Sequence, residues 1–451
     1  MHATAAVCAG VPPGDAPHVS VAIVGAGACG LTAALLLADA GVDCVLLERD
    51  DSPSGSTALS SGFIPAAGTR VQRQHGIEDS PARFASDIQA KAHGSAAPHL
   101  VEAYAAAIGP LLDTLQQRHG LEFELLEGFL YPGHSALRMH AVPEKTGAAL
   151  MQRLLGAAEQ AGITLLTSAL VRELWVDGGR LTGVGFVRPD GKVEHLRCDA
   201  VLLACNGFGG DAALVRELLP EMSEAVFAGH AGNDGSAIVW GRQLGARLAD
   251  LGGYQGHGSW AVPHGVLVSW ALMMQGAVQV NRDGKRFHDE QRGYSEAAVD
   301  VLAQPGGVAW NVFDTGILAF ARGFPDFLSA ESAGAVRHAA GITELAALIG
   351  CDAAPLQSTL AQTALAPPYC AVKVTGALFH TQGGLDIDAG CRVLRADGTP
   401  WPNLLAAGGA ARGVSGNAVW GYLSGNGLLS AMAGGAIAAA TLGDLITKDE
   451  S

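Results

Sequence analysis

The chain has 451 residues, with 28 Lys and Arg against 43 Asp and Glu, a formal net charge of −15. No local run of Lys or Arg reverses that balance, which argues against nucleic acid and anionic lipid surfaces as partners. Gly accounts for 61 residues, charged residues for only 16% and apolar types for 49%. This composition excludes a disordered chain, a coiled coil and a collagen-like repeat, and suits an α/β enzyme with many tight turns around a large cofactor.

The eight cysteines (8, 29, 44, 198, 205, 351, 370 and 391) are scattered, with no C-x-x-C pair and no Cys/His grouping at zinc spacing. No metal site is expected, and the pattern reads as a reducing, cytoplasmic compartment. Met1 to His18 lacks the basic and apolar regions of a signal peptide and carries three prolines, so residues 1–18 read as a flexible leader. No stretch reads as a bilayer span. Leu428 to Leu442, the nearest approach, is Gly/Ala-rich and reads as a buried helix.

Val19 to Val24 predicts a strand that runs into G-A-G-A-C-G at Gly25–Gly30, followed by a helix over Leu31–Ala40. Val42 to Leu47 predicts a second strand, ending in Glu48. This is a βαβ unit with G-x-G-x-x-G and a downstream acid. Gly25 makes the tight turn, Gly27 lets a pyrophosphate approach, Gly30 allows close helix–strand packing, and Glu48 accepts hydrogen bonds from an adenosine ribose. The helix N-terminus offers its free N–H groups to the phosphates. The next segment, Asp50 to Gly62, is rich in Ser, Thr and Gly. It suits wrapping of a diphosphate and a flavin ring system, which a simple nicotinamide dehydrogenase does not need.

Helices are predicted over Phe84–Ala92, Pro98–Arg118 and Thr146–Gln160. Strands follow over Ile163–Val176, Leu181–Val187, Val193–Leu196 and Asp199–Ala204, the last running into a second Gly-rich turn, C-N-G-F-G-G. Residues 250–375 hold Trp260, Trp270 and Trp310 and lack βαβ rhythm. They read as an inserted domain, with the three Trp packing it. Strand character returns at Val372–Ile387 and Leu404–Ala407, before a Gly-dense segment and a final helix.

The motifs together resemble the flavoprotein family of fumarate reductase and succinate dehydrogenase, which includes the 3-ketosteroid dehydrogenases. The resemblance is carried by V-A-I-V-G-A-G-A-C-G-L-T-A-A, S-G-S-T-A-L-S-S-G, L-L-A-C-N-G-F, Y-Q-G-H, V-N-R-D-G-K-R-F-H-D-E, T-G-A-L-F-H-T-Q-G-G-L and N-L-L-A-A-G-G-A-A-R-G-V-S-G. It implies an α/β fold, with a discontinuous Rossmann-like FAD-binding domain (residues 19–250 and 374–451) and an inserted α+β capping domain (residues 251–373). The residues it implies at the FAD are Gly25, Gly27, Ala28, Cys29, Gly30, Glu48, Arg49, Ser56, Thr57, Ser61 and Gly62. Leu170, Val171, Ala204, Asn206, Gly207, Asp234, Gly408, Gly427 and Leu428 complete that set. Cys29 is read as a packing residue with no redox role. No His suited to covalent attachment stands in the Ser-rich loop, so FAD is expected to be non-covalent.

The departures from the family pattern point away from dicarboxylates. Where fumarate reductases carry a proton-donating Arg, four residues after the Glu of G-K-R-F-x-x-E, this chain has Tyr294. The place of their C-terminal carboxylate-binding Arg falls in N-A-V-W, and their carboxylate-binding His aligns within one residue of Phe379, beside His380. A Tyr at 294 resembles the ketosteroid dehydrogenase branch, and Tyr422 precedes the flavin-facing turn. Candidate catalytic residues are therefore Tyr294, Tyr422, His257 and His380, with Arg286 paired structurally to a carboxylate such as Glu290 between cap and base. The expected activity is desaturation of the Cα–Cβ bond beside a ketone, on a small carbonyl substrate with a separate electron acceptor or donor. An ene-reductase working in the fumarate reductase direction and a non-catalytic flavin-binding protein are the alternatives.

Overall fold

In the computed structural model, residues 5–128 and 130–449 are described. Two sheets organise the chain. The larger has nine strands and follows the order Ala6–Ala9, Leu170–Asp177, Arg180–Val187, Val193–Leu203, His18–Val24, Cys44–Leu47, Thr164–Leu166. Its centre is parallel, as the βαβ pattern requires. His18–Val24 lies between Val193–Leu203 and Cys44–Leu47, and Pro400–Ala406 adds itself in parallel to the end of Val193–Leu203. The helices Ala28–Asp39 and Asn426–Asp449 pack together over this sheet through Leu31, Leu35, Leu429, Met432 and Ala433. The C-terminus thus completes the first domain.

Three sequence expectations are corrected here. Residues 1–18 are not simply a flexible leader, because Ala6–Ala9 pairs in parallel with Glu173–Val176 at the sheet edge. Its small, half-buried side chains give little sequence signal, and the pairing is supplied by the exposed edge of the neighbouring strand. Val193–Leu196 and Asp199–Ala204 form one strand, Val193–Leu203. The polar break at Asp199 misleads because this strand changes partners there, from antiparallel with Arg180–Val187 to parallel with Pro400–Ala406. Finally, among the described residues one helix, Asn426–Thr447, is long and apolar enough to cross a bilayer by length and composition, with 56% of its most apolar window buried within the fold.

The second sheet has seven strands, centred on Tyr369–Thr381. Tyr254–Ala261 and Val308–Asp314 flank it, and Val226–Phe227 and Arg337–Ala339 also pair with it. The cap sheet therefore reaches outside the expected boundaries: it takes in Val226–Phe227, and residue 373 falls mid-strand. The helix Tyr294–Leu302 lies directly on this sheet. At Gly256 and Gly258 an added Cβ would sit 2.8 Å and 2.7 Å from the Cβ atoms of Ala298 and Ala297, so only Gly permits the approach. Trp310 packs within the cap core, and Trp260 meets Phe379 edge-on at 5.8 Å.

Candidate functional site

A continuous cleft runs from the Gly25–Gly30 turn to the face of the cap sheet. One end is lined by glycines and small polar residues and the other by aromatic ones, which suits a dinucleotide with a second ligand beside it.

At the first end, three glycines serve three different needs. Gly25 has φ +105°, and a Cβ there would lie 2.6 Å from the Ala204 carbonyl oxygen. Gly30 is closed by packing: its Cβ would lie 2.0 Å from the Gly25 oxygen. At Gly27 the nearest atom is Thr57 Oγ1 at 3.6 Å, so the space a side chain would fill opens into the cleft. This is the cradle that a bound pyrophosphate requires, and it lies at the start of the helix Ala28–Asp39. Glu48 is buried, accepting the Ala26 N–H on Oε2 (2.9 Å) and the Asp50 N–H on Oε1 (3.0 Å).

The Ser-rich segment holds one short helix, Gly55–Leu59. Thr57 Oγ1 accepts the Ala28 N–H at 3.1 Å, and Ser56 Oγ accepts from Asn206 Nδ2 at 2.8 Å. Asn206 adopts φ +67°, a left-handed conformation that Asn tolerates better than most non-glycine residues. Arg49 and Arg172 both reach Asp234 Oδ2, at 3.3 Å and 3.0 Å. Burial alone would raise the Asp234 carboxyl, but the Ser236 hydroxyl and the two guanidinium groups hold it below its usual range.

The structure brings nearly all the expected cofactor residues to this cleft. Gly25, Gly27, Ala28, Cys29, Glu48, Arg49, Ser56, Thr57, Ser61 and Gly62 line it, followed by Leu170, Val171, Ala204, Asn206, Asp234, Gly408, Gly427 and Leu428. Gly30 and Gly207 do not. Each is filled in behind the wall, Gly207 against Thr381 Oγ1, where a Cβ would lie 2.0 Å away.

The other end is aromatic. Tyr294 begins the helix Tyr294–Leu302 and stacks on His257, with ring centroids 4.8 Å apart and planes 20° apart. Trp270, Tyr131 and Tyr422 surround it, with centroids 6.3, 6.5 and 6.1 Å from it. Register explains the convergence. His257 stands on the strand Tyr254–Ala261 and His380 on the antiparallel Tyr369–Thr381, where Gln255 pairs with His380.

The electrostatics of this end follow from burial. Burial pushes Tyr294 up to about 12, with hydrogen bonds from Ser424 and Tyr422 pulling the other way. Tyr422 is raised well above its usual value, first by burial and then by the neighbouring Tyr294. Burial lowers His257 to about 3 and His380 to about 4, so both imidazoles are neutral at pH 7. The Ser259 N–H donates to His257 Nδ1 at 3.1 Å, which leaves the proton on Nε2. Gln382 Nε2 donates to His380 Nδ1 at 3.1 Å, its own Oε1 accepts from Ser415 Oγ (2.9 Å), and Ser415 Oγ accepts from Asn426 Nδ2 (2.9 Å). With Gln382 donating to Nδ1, His380 presents Nε2–H beside Gly427; Nδ1 also lies 3.3 Å from the Thr381 carbonyl oxygen, and the tautomer that donates there presents a bare Nε2 instead. Any help these histidines give Tyr294 is hydrogen bonding rather than positive charge.

Arg412 does not enter this end, being held by Asp250 at 2.6 Å and Asp386 at 3.4 Å. Arg286 pairs with Glu290, the expected partner, but not between cap and base. That pair lies inside the cap, where Glu290 Oε1 also takes the Gln279 N–H at 2.8 Å. Cap and base are tied elsewhere, by Lys91 Nζ to the Arg292 carbonyl (2.7 Å) and to the Glu296 carboxylate. Sequence reading missed Ser424, Gln382, Tyr131 and Asp326. Gln382 stands inside T-G-A-L-F-H-T-Q-G-G-L without a role assigned to it, and the other three are single polar or aromatic residues in segments far apart in the chain.

The profile of the FAD binding domain family (FAD_binding_2) matches residues 20–428. Among curated proteins, the chain is 27% identical over 420 residues to NADH:fumarate oxidoreductase of Klebsiella pneumoniae (strain 342), covering 88% of this chain and 45% of that one. It thus spans about half the length of that relative. It is 26% identical to probable fumarate reductase Ifc3 of Shewanella frigidimarina (strain NCIMB 400), covering 95% and 75%. It is 25% identical to 4-oxocyclohexanecarboxylate 2-dehydrogenase of Sinomonas cyclohexanicum, covering 86% and 87%. Among solved structures, a flavocytochrome c3 fumarate reductase superposes with a TM-score of 0.81 at 24% identity, over 96% of this chain and 79% of that one. The 3-ketosteroid-delta4-(5alpha)-dehydrogenase of Rhodococcus jostii RHA1 superposes with a TM-score of 0.76 at 24% identity, over 95% and 97%. The chain belongs to the FAD binding domain family: it is an FAD-dependent oxidoreductase whose capped fold is similar to those of the fumarate reductases and 3-ketosteroid dehydrogenases.

Proposed function

We propose that this enzyme desaturates the Cα–Cβ bond beside a ketone, on an alicyclic or steroid-like substrate. The observation that carries the reading is the character of the cleft's cap end: three phenols and two neutral imidazoles among aromatic walls, where binding a C4-dicarboxylate calls for cations.

FAD would lie along the first end. Its pyrophosphate would rest over Gly27 at the start of the helix Ala28–Asp39, its ribose at Glu48, and its adenine against the main chain of Leu170 or Val171. The flavin end would lie near Ser56, Thr57 and the start of the helix Asn426–Asp449. Bound there without a covalent link, the flavin supplies a hydride acceptor. The protein's own residues do the rest. Tyr294 takes the α-proton, and the hydroxyls of Tyr422 and Ser424, which interact with it, stabilise its phenolate. With Tyr294 near 12, losing its own proton to solvent before reaction at pH 7 costs about 7 kcal/mol at ~1.4 kcal/mol per unit, so the phenolate that takes the α-proton is a minor form whose share grows as pH rises. The Nε2–H of His257 and of His380 donate to the carbonyl oxygen as enolate charge develops. A separate molecule then accepts the electrons. A cytoplasmic location belongs to the same reading, from eight free cysteines of which Cys29, Cys44, Cys198, Cys370 and Cys391 are buried.

The test is anaerobic addition of 3-ketosteroids and of small cyclohexanones to the flavin-loaded protein. Bleaching of the oxidised-flavin band by one class supports desaturation and gives the substrate size. A band that survives every ketone, in a protein whose chemically reduced flavin is reoxidised by an enone, overturns the proposal in favour of alkene reduction.

A further inference from the structure

The cap end of the cleft holds a carboxylate that desaturation does not use. Asp326, the second residue of the helix Pro325–Ser332, lines the cavity. Its Oδ1 accepts the Phe327 N–H at 2.9 Å, the usual occupation of an acid in a first helical turn. Its other oxygen has no hydrogen bond or ion pair with any described residue. The remaining carboxylates of the cleft differ. Glu48 accepts two backbone N–H groups, Asp50 lies 3.2 Å from His230, and Asp234 lies 3.0 Å from Arg172. Burial raises Asp326 to about 6, opposed only by backbone hydrogen bonds, with no cation among the causes.

Tyr131 and Tyr294 line the same cavity, their rings meeting edge-on at 6.5 Å. The Tyr131 phenol is raised first by burial and then by the charges of Tyr294 and Asp326. Asp326 and the phenol that takes the proton thus face one cavity. Among the described residues, the only guanidinium lining the cleft, on Arg49, is committed to Asp234 and the Gly232 carbonyl. A substrate carboxylate near Asp326 would face an uncompensated anion in a partly desolvated wall. A substrate hydroxyl or ammonium would give that anion the partner it lacks.

We infer that Asp326 is a specificity determinant: it selects cyclic ketones bearing a hydrogen-bond donor, hydroxyl or ammonium, on the side of the ring away from the carbonyl, and rejects those bearing a carboxylate there. The orientation of the carbonyl in this inference rests on the desaturation proposed above, whereas the charge preference does not.

Three ring ketones of matched size test it: 4-aminocyclohexanone, 4-hydroxycyclohexanone and 4-oxocyclohexanecarboxylate. Each is titrated anaerobically into the flavin-loaded protein, reading affinity from perturbation of the visible flavin spectrum and turnover from its bleaching. The wild type should bind the amine and the alcohol about tenfold or more tighter than the acid, the amine tightest if charge dominates and the two alike if hydrogen bonding suffices. Asp326→Asn should bring the amine and the acid to within about threefold of one another, and Asp326→Glu should keep the preference. Flavin content of each variant reports on folding. Equal or tighter binding of the acid by the wild type overturns the inference, as does an unchanged ratio in Asp326→Asn. A clear preference for donors without bleaching by any ketone supports Asp326 while removing desaturation. Bleaching with the preference inverted removes Asp326 alone, and a spectrum undisturbed by all three removes both.

Discussion

The two ends of the cleft are built by different means. The dinucleotide end is dictated by backbone: glycines at 25, 27 and 30, one buried carboxylate, and the start of a helix, most of it within 24 residues of sequence. The cap end is made from side chains delivered by two antiparallel strands, the helix Tyr294–Leu302, the helix Pro325–Ser332 and the turn before Asn426. A group common to many enzymes can be held by a local motif, because backbone N–H groups are available in any sequence. Recognition of a particular substrate needs side chains whose placement depends on long-range packing.

This contrast can be broken at either end. The largest effect is expected from Gly30→Val at the first end. Its Cβ would fall 2.0 Å from the Gly25 carbonyl oxygen, where only backbone movement can relieve it, and the purified protein should lack both flavin absorbance and a cooperative melt. Next is Tyr294→Phe, which removes a hydroxyl and leaves the wall intact. Turnover should fall by about 10²–10⁴, as expected for loss of a proton-transfer group, with flavin content unchanged. Near-normal turnover would place the base elsewhere.

A smaller and more diagnostic effect lies in the pH profile. With His257 and His380 held near 3 and 4 and Tyr294 near 12, kcat/KM for desaturation should rise from pH 7 to 10 and show no imidazole inflection near 6.5. The reverse reaction, which needs Tyr294 protonated, should be flat over that range. Asp326 titrates at about 6 in the same cleft, so an inflection between pH 6 and 7 that persists in Asp326→Asn would give a histidine back a proton-transfer role.

The smallest effect concerns stability. His134, His140 and His380 are lowered to about 4 and His257 to about 3, in each case chiefly by burial. The unfolded chain, with imidazoles near 6.5, binds more protons than the folded one as pH falls from 7 toward 4, so stability declines with acidity. Asp326 and Glu296, both raised by burial, act in the opposite sense and offset part of the loss. Thermal melts should show Tm several degrees lower at pH 5 than at pH 7. A Tm that is flat or rises on acidification would mean that these imidazoles are hydrated.

The same contrast explains what the sequence made legible. The Gly25–Gly30 turn, its helix and Glu48 could be read because spacing along the chain is their geometry. Tyr294 was found through a departure from a resembling motif. Asp326 and the chain from Asn426 through Ser415 and Gln382 to His380 were not, because ordinary polar residues acquire a role only when distant segments meet. The strand Ala6–Ala9 was hidden for a related reason: its pairing belongs to the neighbour it completes.

That the cleft is one cavity rather than two has a thermodynamic consequence. Two ligands sharing walls cannot have independent affinities, and whatever factor the first contributes to binding of the second is returned in full. A substrate analogue that binds more tightly to the flavin-loaded protein than to the apoprotein must therefore lower the dissociation constant of FAD by the same ratio. Retention of the cofactor through purification then becomes a readout of occupancy at the opposite end.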